Sequence, residues 1–123
     1  MPQHMRNCPS AVISAQTRSA PTKDGVDVFV TSNRMGAREE IVARAQRQAA
    51  LAGPFPFVGE HTGHHGGPGD LGFCPILHAN TNVSVEPITN GVRIHVAART
   101  PSQVLALQRA TDARVRALAR PAG

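Results

Sequence analysis

Two short stretches decide the fold: DGVDVFV at residues 24–30 and NGVRIHV at residues 90–96. Asp24-Gly25 and Asn90-Gly91 are dipeptides that favour a type I′ hairpin, because both central positions of that turn need positive φ. Behind each dipeptide the apolar residues alternate, Val26, Val28 and Val30 in the first stretch and Val92, Ile94 and Val96 in the second. That is the period of a strand with one buried face. The opposite faces carry Asp27, Phe29, Arg93 and His95.

Working outward, the same offset aligns the two halves without a gap. Cys8-Pro9 falls on Cys74-Pro75, Pro21 on Pro87 and Ile41 on Leu107. Ahead of the second turn Val83 and Val85 alternate well, whereas their counterparts Thr17 and Ser19 are polar and mark the first strand more weakly. Behind the second stretch, Thr100 is placed to cap a helix with Pro101 at its first position and Gln103 at its third. Val104, Leu107, Thr111, Val115 and Leu118 then fall on one stripe at helical spacing. The matching stripe in the first half is Ile41, Ala45, Ala49 and Ala52, ended by Gly53-Pro54. The helical arginines Arg38, Arg44, Arg47, Arg109, Arg114, Arg116 and Arg120 mostly fall away from these stripes.

The expectation is an α+β domain, internally duplicated as ββα-ββα, with a four-stranded, mainly antiparallel sheet and two helices on one face. Residues 1–123 form one domain of two pseudo-symmetric repeats, about 7–52 and 73–118. A single repeat of this size is marginal alone, so the two share a core. A Gly/His-rich loop, residues 53–72, joins them, and loops of that length are usually functional or disordered.

Composition narrows the function classes. Thirteen basic against eight acidic residues give a formal charge of +5, and twelve of the thirteen are arginine, so the charge is fixed at accessible pH. With no Trp, no Tyr and four Phe, the core is built from Val, Ile, Leu and Ala. Aromatic platforms for stacking bases are missing, and the arginines are spread over two helices, which argues against specific nucleic-acid recognition. No apolar run reaches membrane-spanning length. MPQHMRNCPS lacks a secretory h-region; the chain is expected in the cytoplasm if this is its full length, and in the periplasm or outside the cell if a signal has been removed. No Walker loop, dinucleotide-binding glycine pattern or HExxH helix is present. A Cys74–histidine pair lacks any marked orienting carboxylate or oxyanion hole, and the chain is expected not to be an enzyme.

The chemistry-bearing residues point to a metal. His61, His64 and His65 form an H-x-x-H-H cluster in the loop, and Cys74 and His78 follow. Imidazole and thiolate are the ligands zinc and copper prefer. Cys8, preceded by His4 and Met5, stands at the equivalent place in the first half. The leading expectation is therefore non-catalytic binding of copper or zinc for storage, delivery or sensing. The loop histidines and Cys74 are the first ligands in this reading, Cys8 joins them, and His78, His4 and Met5 are reserves. Glu60 and Asp70 flank the loop as candidates to orient imidazoles.

Other readings of the same residues stand beside it. Cys8 and Cys74 could be small buried apolar residues, or a disulfide closing a loop of about 66 residues and adding about 4 kcal/mol in an oxidising compartment. The alternative function is then a structural or protein-interaction module, with an open sheet edge as a route to a homodimer. A further alternative is heme, since each Cys-Pro dipeptide has a histidine four residues away and resembles the heme regulatory motif, in which the thiolate ligates iron.

Overall fold

The computed structural model describes residues 8–51, 74–77 and 81–119. A 3-10 turn, Pro9–Ala11, leads into β1 (Gln16–Pro21), β2 (Gly25–Thr31) and α1 (Ala37–Leu51). The second half runs β3 (Thr81–Ile88), β4 (Gly91–Ala98), a 3-10 turn at Pro101–Gln103 and α2 (Val104–Ala119). The strands form one four-stranded sheet in the order β1-β2-β4-β3, every neighbouring pair antiparallel. The domain is thus α+β, as its alternating stretches indicate.

The sheet is built around the pairing of β2 with β4, where Val26 faces Val96, Val28 faces Ile94 and Val30 faces Val92. All six lie on one side and are essentially fully buried. Ile41 and Ala45 of α1 and Leu107 of α2 belong to the same cluster, so both helices cover that side. α1 packs on β3 and β4, and α2 packs on β1 and β2, so each helix lies chiefly over the hairpin from the other half of the chain. Polar Thr17 and Ser19 suffice for β1 because it is an edge strand, where both are only half-buried.

The two glycines serve a different purpose from the one their dipeptides indicate. Thr22 N–H donates to the Gly25 carbonyl, and Ile88 pairs with Gly91, so the turns are centred one residue earlier, on Lys23-Asp24 and Thr89-Asn90. Neither glycine has positive φ. Instead, a Cβ on Gly25 would collide with the Val96 carbonyl oxygen, and one on Gly91 with that of Val30. Glycine is required at both ends of the central strand pair because two backbones approach too closely for any side chain. The crossing is closed by matched bonds, Ser32 N–H to the Asn90 carbonyl and Ala98 N–H to the Asp24 carbonyl, each 2.9 Å.

The helices depart from the expected details. Thr100 makes no side-chain cap; its hydroxyl lies 3.2 Å from that of Ser102, and Pro101–Gln103 forms a 3-10 turn before α2 begins. In α1 the buried position after Ala45 is Gln48, with Ala49 only half-buried. Arg38 of α1 donates to the Ile88 carbonyl at 2.9 Å, and Gln108 of α2 donates to that of Thr22 at 2.9 Å. Each helix is thus tied to the turn end of the hairpin it covers.

Candidate functional site

Cys8 and Cys74 are joined in a disulfide, their Cα atoms 6.0 Å apart and both residues fully buried. Each half-cystine is followed by a buried proline, Pro9 and Pro75. Each is also held by a helix. An Arg44 guanidinium N–H of α1 donates to the Cys8 carbonyl at 3.2 Å, and one from Arg114 of α2 to the Cys74 carbonyl at 2.8 Å. The Gln48 amide of α1 donates to Cys74 Sγ at 3.4 Å. The bond thus fastens the two segments leading into the hairpins to both helices at once. Arg114 is 5% exposed, although the helical arginines mostly fall away from the apolar stripes; burial pulls its pKa down from the ordinary arginine range to about 10.

This arrangement corrects the leading functional expectation. A half-cystine has no thiolate to give, so Cys8 and Cys74 are neither copper or zinc ligands nor axial ligands for heme iron. Among the described residues no group of three or more His, Cys, Asp or Glu is placed to hold a metal ion. The other residues named for that role, His61, His64, His65, His78, His4 and Met5, lie outside the described residues, as do Glu60 and Asp70. Of the three readings open for the cysteines, the structure selects the disulfide. The same chemistry favours the alternative of a structural or interaction module.

The second notable surface is the side of the sheet that the helices leave uncovered. Strand alternation and register arrange it in rows running across all four strands. One row is Arg18, Phe29, Arg93 and Glu86. The Arg18 guanidinium carbon lies 4.1 Å from the centroid of the Phe29 ring, a cation–π contact, and Arg93 pairs with Glu86 at 3.0 Å. The next row places Asp27, His95 and Ser84 side by side. His95 Nδ1 is 2.7 Å from Asp27 Oδ1, and its Nε2 is 3.0 Å from Asp24 Oδ1 on the adjoining turn.

A serine, a histidine and an aspartate in one row invite comparison with a catalytic triad. The geometry differs in one decisive respect, since the triad needs the second imidazole nitrogen on the serine hydroxyl, and here that nitrogen meets Asp24. The imidazole instead staples the β1–β2 turn to the open face. Sequence reading identifies Phe29 and His95 as outward-facing but not their partners, because Asp27 and His95 meet only through the β2–β4 pairing, which no local signal specifies.

No helix among the described residues is long and apolar enough to cross a membrane. Among the described residues, two shallow clefts flank the core. One, about 290 Å³, lies between β1 and α2 beside exposed Leu105 and Arg109; the other, about 450 Å³, lies beside exposed Ile13 and Met35. Comparison with protein-family models, with curated proteins and with solved structures found no match.

Proposed function

We propose that the chain is a non-catalytic structural and protein-interaction module, a disulfide-clamped scaffold that keeps one side of its sheet rigid beneath two helices and offers the other side to a partner. The observation that carries this reading is the Cys8–Cys74 bond. It takes both thiols out of metal chemistry and ties together the two segments that lead into the hairpins of the sheet. That face, with an arginine over an aromatic ring beside alternating charges, has the composition of a recognition surface, where Arg and aromatic residues are enriched. Disulfides of this kind persist in oxidising compartments, and the reading places the module in one.

The same proposal covers the architecture. The two ββα units are copies of one unit related by a pseudo-twofold axis between β2 and β4. Supporting this are the equivalent glycine approaches at Gly25 and Gly91, the matched bonds closing the crossing, and the parallel arginine bonds to the two half-cystine carbonyls.

Elemental analysis of protein purified without added metal, followed by thermal melts with excess Zn(II) or Cu(I), tests the choice of function. A ligand that binds only the native state must raise the melting temperature. The module carries no stoichiometric metal, and its midpoint does not move. One copper or zinc per chain with a raised midpoint overturns the proposal.

A further inference from the structure

The open face is complementary to itself. Its central row reads, from β1 to β3, Arg18, Phe29, Arg93 and Glu86, which is cation, aromatic ring, cation, anion. A twofold axis parallel to the strands and midway between β2 and β4 inverts that order in a facing copy. Arg18 then lies opposite the partner's Glu86, and Phe29 opposite the partner's Arg93. In the adjacent row Asp27 lies opposite the partner's His95. An axis perpendicular to the strands would instead lay Arg93 over His95 and put the Asp27 carboxylate against the negative face of the Phe29 ring. Only the strand-parallel axis sets complementary groups opposite one another in both rows, Arg18 with Glu86 and Asp27 with the His95 imidazole.

We propose that this face is the interface of a homodimer built on the strand-parallel axis. The inference rests on the interaction-module reading and names its partner as a second copy of the chain. Two sheets packed face to face stand about 10 Å apart with strands nearly aligned, a gap that arginine and glutamate side chains can close from opposite sides. Arg18 and Glu86 are exposed, and Arg93 is 45% exposed in its side chain, so each can exchange its contact within the chain, Arg18 with Phe29 and Arg93 with Glu86, for one across the interface. Association by strand addition at the sheet edges is disfavoured, because both edge strands carry a proline near their turn, Pro21 on β1 and Pro87 on β3, where the ladder loses a donor.

The test is sedimentation equilibrium of the native chain with Arg18→Glu and Glu86→Arg. In either variant's homodimer both outer pairs become like-charged, and self-association should weaken by about tenfold. In an equimolar mixture the carboxylate introduced by the first substitution faces the guanidinium introduced by the second, and the unchanged Arg18 of one variant faces the unchanged Glu86 of the other. Heterodimers should therefore form in preference to either homodimer, read by native mass spectrometry with one variant isotopically labelled. Should a variant fail to fold, concentration-dependent NMR shifts of the native chain decide: they should centre on Asp27, Phe29, Arg93 and His95. A native chain that stays monomeric to millimolar concentration, variants that associate as the native chain does, or shifts centred on the helices overturn the dimer. None of those results touches the module reading, which fails separately if the cysteines are free and a metal is bound.

Discussion

Reducing the bond between Cys8 and Cys74 should cost the domain about 4 kcal/mol. The two residues are 66 apart in sequence, and removing a cross-link of that span restores to the unfolded chain a loop-closure entropy of about 4 kcal/mol at 25 °C. For a chain of this size the loss corresponds to a fall in midpoint of about 15–20 °C. The native state supplies no compensating gain, because both sulfurs are fully buried and Cys74 Sγ already accepts from Gln48. Urea and thermal unfolding, followed by circular dichroism with and without a phosphine reductant, measure the difference. The double variant Cys8→Ala/Cys74→Ala gives the same comparison without reductant. The denatured chain also expands when the cross-link is lost, so the urea m-value should rise. If the oxidised and reduced chains unfold within about 1 kcal/mol of each other, the clamp described above is not what holds the hairpins to the helices.

Other expectations follow from single residues. Gly25→Ala and Gly91→Ala each drive a methyl group into a facing carbonyl and should destabilise by about 3 kcal/mol, the upper end of an overpacking cost; Gly36→Ala, at φ +84° with open space around it, should lose only about 1–2 kcal/mol of backbone strain, and equal losses at all three sites would discredit the close-approach explanation. Thr111 is fully buried with a hydroxyl that meets no hydrogen-bond partner among the described residues, so Thr111→Val should stabilise by about 1 kcal/mol in urea unfolding. A hydrogen bond from Arg44, with Coulombic help from Arg44 and Arg47, holds the Glu40 carboxyl below its ordinary 4.5. Its contribution to stability is therefore present above the unfolded value and is lost as pH falls through the lower folded one; NMR titration should show Arg44→Gln moving Glu40 back upward.

The parts of the fold legible in the sequence are those fixed by short-range pattern. The alternation of Val26, Val28 and Val30, repeated at Val92, Ile94 and Val96, locates the central strands and their buried face without any tertiary information. The Asp-Gly and Asn-Gly dipeptides locate the turns, but for a reason other than turn chemistry: the glycines make room for a neighbouring backbone that only the β2–β4 pairing brings near. The first strand is weakly marked because an edge strand with half-buried Thr17 and Ser19 has little apolar content to reveal. Buried Gln48 and Arg114 are invisible to a hydrophobic pattern, since their places are set by a disulfide and a carbonyl from distant segments.

The candidate site is legible in its residues and not in its chemistry. Cys8 and Cys74 stand out by their equivalence in the two halves, yet equivalence does not choose between thiolate, core residue and disulfide, and only the approach of their Cα atoms does. The histidine cluster points to a metal because residue type and spacing are all that a sequence displays. The open face is half-visible: Phe29, Arg93 and His95 point outward by alternation, but the rows they form depend on a strand order that local signals leave unspecified.

The most direct test is a non-reducing peptide map of protein blocked with iodoacetamide before any reductant is added. The structure requires a cross-linked pair of peptides, one containing Cys8 and the other Cys74, with neither cysteine alkylated. Recovery of both cysteines as alkylated, unlinked peptides from the folded protein would contradict it.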